Sequence, residues 1–372
     1  MTTDHSPGQA ERPLRVAILS AIRHGAYLAP AFAARPEVEL VAIADEPDLP
    51  ERWAEVGPQL AAKFGIPFTE DIAGMLARPD VDAVCISSDY VRHGRLALLV
   101  LGAGKHLYLD KPMATTLDEC RAVAAAAAAA ERRGIKTLTF SRFAAPAVQR
   151  ALAAIRAGRI GRVLSLRAEY VASYGPGEQY DPEKDTNWHP RWTGGGEILN
   201  FALYPLTNVR LLAGQEIESV QCFAGALFNR AHRELGIEDM ATIVLRLSGG
   251  AVADILVGRC HTPQHPTLGD VRVSVTGTAG MVDADELKPA LGVHGAAGTL
   301  LRSLDDEDAL IRAAVDRFVD WVHHGIEPGQ TYLDSLRVME ASFAAEESMR
   351  NGGKVVRLGG QRSAITGRQS AP

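Results

Sequence analysis

The chain has too little of several things to belong to whole classes of protein. It has four cysteines in 372 residues, Cys85, Cys120, Cys222 and Cys260, and they are scattered. That excludes a disulfide framework and suits a reducing compartment. No apolar run reaches the roughly 18–20 residues a bilayer-crossing helix needs, so no membrane partner is expected. Lys and Arg number 39 against 45 Asp and Glu, a formal net charge of −6. A nucleic-acid binder needs a basic face to neutralise phosphates, so no nucleic-acid partner is expected either. The segment Met1 to Pro13 is polar and lacks the pattern of an export signal, which makes the cytoplasm the expected location. Cys260-His261-Thr262-Pro263-Gln264-His265 has part of a metal-ligand spacing but no fourth clustered ligand, so no metal is expected. Internal repeats and a phosphate-cradling P-loop are also missing.

What is present is a change of texture near Phe140. Before it, short runs rich in Val, Ile and Leu (Leu14–Leu19, Val38–Ala44, Val81–Ile86, His106–Leu109) alternate with helical stretches around 26–34, 52–64, 72–77, 92–103 and 117–133. Continuous apolar strands between helices mean a parallel sheet covered on both faces. The alanine run 124–130 reads as plain helix, because alanine has the best helix propensity and acids mark the start. After Phe140 the strands alternate. In Val163–Val171, Leu164, Leu166, Ala168 and Tyr170 are expected on one face, Ser165, Arg167 and Glu169 on the other. Strand patterns recur at 220–226, 241–247, 251–257 and 271–277, with Ser248-Gly249-Gly250 as a hairpin turn. Helices at 145–157, 197–212, 308–324 (opened by the acidic run Asp305–Asp308) and 334–350 are expected to cover the sheet's inner face.

The expected architecture is an α/β Rossmann domain with a doubly wound parallel sheet (13–140). An α+β substrate-binding and oligomerisation domain with a large, mainly antiparallel open-faced sheet (141–360) follows it. Residues 1–12 and 361–372 read as flexible tails.

The first strand runs into Ser20-Ala21-Ile22-Arg23-His24-Gly25, a helix follows, and the second strand ends in Asp45. This is the layout of a dinucleotide site: a turn at a helix N-terminus for pyrophosphate, then an acid for the adenosine ribose. A carboxylate there accepts from both ribose hydroxyls and repels a 2′-phosphate, which favours NAD over NADP. A G-x-G-x-x-G fingerprint laid on the turn falls on Ser20, Ile22 and Gly25, so only the last glycine survives. Ile22 obstructs close approach of pyrophosphate unless the turn opens, and Arg23 can add charge for a phosphate. The alternative is a fold that persists while nucleotide binding has weakened.

The run Ala103-Gly104-Lys105-His106-Leu107-Tyr108-Leu109-Asp110-Lys111-Pro112 resembles the A-G-K-H-V-x-x-E-K-P motif of the Gfo/Idh/MocA oxidoreductases, with Asp110 in place of the usual Glu. Val81-Asp82-Ala83-Val84, the Ser88…His93 turn, Ser141-Arg142-Phe143, Ala157-Gly158-Arg159-Ile160-Gly161 and Gly194-Gly195-Gly196 match in order, so the likeness runs from about Leu14 to Leu358. The resemblance implies bound NAD or NADP, hydride transfer at a carbinol carbon of a sugar, cyclitol or related polyhydroxylated molecule, and a homodimer or homotetramer built on the open sheet.

The resemblance places the motif lysine on Lys111, beside the nicotinamide and the reacting hydroxyl, where an ammonium is suited to acid–base work. It places Ser87, Ser88, Tyr90, His93 and Asp110 around the nicotinamide ribose, with a plain capping role open for Ser88 or Asp89. The family's D-x-x-x-H pair falls on Asn200 and Tyr204, and both identities have changed. Asn200 can bond a hydroxyl but is no base. Tyr204, acidified by Lys111, is the expected acid–base group; a purely pocket-shaping role is the alternative. Arg142, Trp188, His189 and Arg191 are expected substrate-lining residues, and His189 is a second substitute for the missing histidine. Three functions stay open: an active dehydrogenase or reductase, a glycosidase or lyase using its nicotinamide transiently, and a non-catalytic binding homologue.

Overall fold

The computed structural model describes residues 12–174, 189–260, 262, 269–288, 290–296, 298–303 and 309–359. The expected tails apart from Arg12, the acidic run Asp305–Asp308 and the histidines His261 and His265 lie outside them.

Strands β1 (Leu14–Leu19), β2 (Val38–Ala44), β3 (Phe68–Thr69), β4 (Ala83–Ile86), β5 (His106–Leu109) and β6 (Thr137–Thr139) form a parallel sheet. Its order is β3-β2-β1-β4-β5-β6. The order reverses between β1 and β4, and a crevice outside the strands' carboxyl ends at such a reversal is where dinucleotides bind. Strands β3 and β6 are two and three residues long, too short to show a periodicity in the sequence.

Helices α1 (Gly25–Ala33), α2 (Val56–Phe64), α3 (Ile72–Ala77), α4 (Tyr90–Gly102) and α5 (Leu117–Glu131) connect these strands. The alanine-rich α5 starts where Thr116 Oγ1 accepts from Glu119 N at 3.3 Å, a side-chain cap. The expected helix at 52–64 is broken into a turn, Glu51–Ala54, and α2.

The second sheet has nine strands. They are β7 (Val163–Ala172), β8 (Ile217–Gly225), β9 (Met240–Leu247), β10 (Val252–Arg259), β11 (Gly269–Gly277), β12 (Gly280–Asp285), β13 (Ala290–Gly295), β14 (Gly298–Ser303) and β15 (Val356–Arg357). The order is β14-β13-β12-β11-β7-β10-β9-β8-β15, antiparallel throughout except for the β7–β10 pair. In β9 buried and exposed residues alternate, as one covered face requires. One expectation in β7 fails. Val163 pairs with Gly277 and Ser165 with Thr276, so Leu164 is the extra residue of a bulge and points to solvent.

Helices α6 (Pro146–Arg156), α7 (Leu203–Ala213) and α9 (Tyr332–Arg350) pack on this sheet, and α9 also reaches α5. Helix α8 (Ala309–His324), expected there too, lies instead on the first sheet against α1. The reason is aromatic: Phe318 sits edge-on to Phe32 at 6.1 Å and to Tyr108 of β5 at 5.5 Å, and all three are buried. No helix among the described residues is long and apolar enough to cross a membrane.

Candidate functional site

The turn after β1 is built around its altered glycines. Ser20, at the first glycine's place, takes φ 59°, the only non-glycine with positive φ among the described residues. A left-handed residue of this kind costs about 1–2 kcal/mol, which the surrounding turn must hold. Gly25 is kept for a steric reason: a Cβ on it would lie 2.6 Å from Ala21 Cβ. Ala21 is buried and Ile22 half-buried. Arg23 donates its backbone N–H to Ser87 O at 3.1 Å, and its guanidinium stacks over the rings of Tyr90 (4.6 Å) and Trp53 (5.9 Å). The arginine is thus directed along the crevice toward Tyr90.

Asp45, at the end of β2, is 1% exposed. Its Oδ1 accepts from Glu46 N at 3.0 Å, whereas Oδ2 is buried with no well-formed hydrogen bond, the Ser20 side chain being near the carboxyl. Burial pushes this carboxyl up to about 6, with Glu46 N, Ser20 and Arg92 holding it down in part. A buried carboxylate oxygen without a well-formed hydrogen bond, beside the turn at the sheet's reversal, is what a ribose diol would satisfy. The residues fit NAD.

At the carboxyl end of β5, Asp110 is fully buried and well satisfied. It accepts from Lys111 N (2.8 Å) and Ser87 Oγ (3.0 Å), and His24 Nδ1 lies 2.7 Å away. Burial would raise its carboxyl, but His24, His93 and Lys111 outweigh that and hold it at about 2. Asp110 therefore ties the turn after β1 to the strand end that carries Lys111. His93 is buried, with Nδ1 2.6 Å from Pro112 O and Nε2 3.1 Å from Ser88 O. Burial lowers its pKa. Ser88 Oγ donates to Asp89 O at 2.9 Å. Neither Ser88 nor Asp89 caps α4 with its side chain; the Asp89 carboxylate pairs with Arg92 instead.

The Lys111 side chain lies in the interior, 2% exposed. Its Nζ donates to Asn200 Oδ1 (2.7 Å), Tyr90 Oη (2.9 Å) and Asn200 O (3.2 Å). Tyr90 in turn donates to Asn200 Oδ1 at 3.0 Å. Asn200 lies in a π-helical turn, Ile198–Ala202, that replaces the start of the single α-helix expected at 197–212. Such turns recur at functional sites. This one brings Asn200 onto Lys111, with the rings of Phe201 and Tyr204 5.5 Å and 5.3 Å from Nζ. The glycines before it allow close packing: a Cβ on Gly196 would lie 2.3 Å from the Glu238 carboxylate, whose Oε1 accepts from Ile198 N at 2.8 Å.

The expected acidification of Tyr204 is overturned. Its ring, not its hydroxyl, faces Lys111, and burial raises the phenol well above its usual 10, with Tyr170, Tyr90 and Asp110 adding to the rise. Arg142 comes to the same wall, its guanidinium 5.6 Å from the Tyr170 ring and 5.8 Å from the Tyr204 ring. Its Nε donates to buried Glu286 at 2.6 Å. His189 and Arg191 are not brought to Lys111. His189 Nδ1 accepts from Arg191 N at 3.2 Å and caps the turn Pro190–Thr193, while Arg191 stacks on Trp192. Trp192 meets Trp53 edge-on at 5.2 Å across the crevice. Trp188 lies outside the described residues.

Sequence reasoning missed His24 on Asp110, the Tyr90 hydroxyl on Lys111, and a buried Glu197–Arg259 pair behind Asn200. Contacts between residues 62 or 86 positions apart leave no periodic signal.

A six-stranded doubly wound sheet with a buried acid and a strand-end lysine at its reversal point has the layout of a dinucleotide-binding domain. Two family models match: the oxidoreductase family, NAD-binding Rossmann fold, over residues 14–136, and the GFO/IDH/MocA C-terminal domain over 148–283. The chain belongs to the Gfo/Idh/MocA family, and residues 14–136 match that family's NAD-binding domain. It is similar to scyllo-inositol 2-dehydrogenase (NAD(+)) of Bacillus subtilis, 27% identical over 92% of this chain and 96% of the relative. Inositol 2-dehydrogenase of Pseudomonas fluorescens is 26% identical over 80% of this chain and 85% of the relative. In fold it resembles levoglucosan dehydrogenase, solved with NADH and levoglucosan, at TM-score 0.81 and 20% identity over 94% of this chain and all of that one.

Proposed function

We propose that the protein is an NAD-dependent dehydrogenase or reductase that moves a hydride to or from a carbinol carbon of a sugar, cyclitol or related polyhydroxylated small molecule. The observation that carries this reading is the buried Lys111 ammonium, held on neutral oxygens of Tyr90 and Asn200 at a strand end of the dinucleotide crevice. The relatives named for inositols support the substrate class.

Bound NAD supplies the hydride acceptor, and its reduced form the donor. Asp45 and Ser20 would hold its adenosine ribose, the turn Ala21-Ile22-Arg23 its pyrophosphate, and Ser87, Ser88, His93 and Asp110 the nicotinamide ribose. Lys111 would take the proton of the reacting hydroxyl as the neutral amine when hydride leaves to NAD, and return it as the ammonium in the reverse direction, with the Tyr90 hydroxyl as its nearest exchangeable partner. Asn200 holds Lys111 Nζ and the Tyr90 hydroxyl on its amide oxygen. Arg142, Tyr170 and Tyr204 form a cationic and aromatic wall suited to a ring bearing several hydroxyls.

In this reading the Rossmann half ends near Phe140, and the second half binds substrate. Its outer sheet face exposes Phe223, Val244, Val252 and Leu256, an apolar patch suited to pairing two copies into a homodimer or homotetramer. The four thiols are unpaired and three are buried, as suits a cytoplasmic enzyme.

The test is a fluorescence titration of cofactor-stripped protein with NADH and with NADPH, followed by NAD-dependent turnover of scyllo-inositol, myo-inositol and levoglucosan. NADH should bind at least tenfold tighter than NADPH, and one polyol should yield NADH. Failure to bind either nucleotide would favour the non-catalytic reading. Product formed without net NADH would favour transient oxidation.

A further inference from the structure

We infer that Glu197 is the positioning carboxylate of this site, acting on Lys111 through the side-chain amide of Asn200. The inference rests on the role proposed above for Lys111.

The acid that the family pattern puts at position 200 is an amide here, and a carboxylate stands three residues earlier. Glu197 is 2% exposed. Its two oxygens have separate duties. Oε1 accepts from Arg259 Nε at 2.8 Å and lies 3.2 Å from His232 Nε2; Oε2 accepts from Asn200 Nδ2 at 2.9 Å. An amide has one donor end and one acceptor end. With Nδ2 committed to Glu197, Oδ1 must face Lys111 Nζ at 2.7 Å and Tyr90 Oη at 3.0 Å. The flipped amide would set two donors against each other at Lys111 and an oxygen against the carboxylate. Burial works against charge on Glu197, but Arg259 and His232 outweigh it and hold the carboxyl at about 2. The amide is therefore held in one orientation throughout the neutral range, and the negative charge reaches the lysine at one remove.

The test is Glu197→Gln, whose Oε1 can still accept from Arg259 and His232 while its NH₂ opposes Asn200 Nδ2. The first readout needs no turnover: acetylation of Lys111 by acetic anhydride, followed by peptide mass spectrometry on nucleotide-free protein. Lys111 should react at least tenfold faster in Glu197→Gln. In Glu197→Gln/Asn200→Asp, which hands the carboxylate to position 200, reactivity should return to within threefold of wild type.

On whichever polyol the wild type oxidises, kcat of Glu197→Gln should fall at least thirtyfold with KM changed less than threefold. The double variant should recover most of that loss. Unchanged Lys111 reactivity in Glu197→Gln, or no recovery in the double variant, overturns the inference. Should Glu197→Gln fail to fold, Asn200→Ala reads the same link with the Glu197–Arg259 pair intact: Lys111 must again become reactive, and protection that persists overturns the inference. If no polyol is oxidised, the Lys111 chemistry falls while the acetylation arms still decide the role of Glu197.

Discussion

Replacing Lys111 with Met should remove activity without removing stability. The ammonium is buried, and its three acceptors, Tyr90 Oη, Asn200 Oδ1 and Asn200 O, are neutral oxygens. Among the described residues no carboxylate touches it. Asp110, adjacent to it in sequence, spends its oxygens on His24, Ser87 and a backbone N–H. A buried cation without a contacting counter-charge costs several kcal/mol to desolvate, only part of which three hydrogen bonds recover. Met keeps the length and the apolar stem, and Asn200 Oδ1 keeps its bond from Tyr90. The orphaned acceptors and the lost attraction to Asp110 cost about 1–3 kcal/mol, comparable to the desolvation regained. Lys111→Met should therefore stay within about 1 kcal/mol of wild type, a Tm shift of roughly 2–4 °C or less. Acid–base catalysis is worth about 10²–10⁴ in rate, or roughly 3–5 kcal/mol of barrier. The assay pairs a thermal melt with kcat on the oxidised polyol. A large fall in Tm with a proportionate loss of activity would refute the reasoning and make Lys111 a structural residue.

Asp45→Asn should act in opposite directions on binding and on stability. NADH affinity should fall at least tenfold and the preference over NADPH should shrink, read by titration. Because burial raises the folded-state carboxyl from 3.8 to about 6, its contribution to stability is full below pH 4 and lost as pH rises through about 6. The apo variant should thus be more stable than wild type at pH 7.5 by about 1–3 kcal/mol, with the difference gone by pH 4 in denaturant melts. Gly25→Ala drives a methyl to 2.6 Å from Ala21 Cβ, so it should destabilise by about 1–3 kcal/mol and weaken NADH binding; unaltered binding would show that the turn has slack. Tyr90→Phe should lower kcat at least tenfold, whereas Tyr204→Phe should change it less than threefold. The reverse order would restore Tyr204 as the acid–base group.

Much of the frame was legible in the sequence because it depends on local pattern. Unbroken Val and Ile runs mark strands buried on both faces, and a strand that ends in Asp110-Lys111 puts the lysine at the ligand edge of the sheet. Gly25 kept its place because packing there excludes a Cβ. What was not legible depends on tertiary contact. The apolar face of α8 announces a helix that buries one side, but only Phe32 and Tyr108 decide which sheet receives it. An i,i+4 reading put Asn200 and Tyr204 on one helix face and let Lys111 act on the phenol. The π turn and full burial instead give Lys111 the Asn200 amide and the Tyr90 hydroxyl, and leave Tyr204 its ring. Ser20 reads as a lost glycine, yet the backbone still takes the glycine's conformation.

The most direct test of the central claim is a label transfer. Wild-type protein is incubated with NAD and scyllo-inositol, myo-inositol or levoglucosan deuterated at the carbinol carbons, and the nucleotide is recovered for mass spectrometry. Net accumulation of NADH carrying one deuterium is the predicted result. Unlabelled nucleotide with all three polyols, from protein shown to bind NADH, would contradict it.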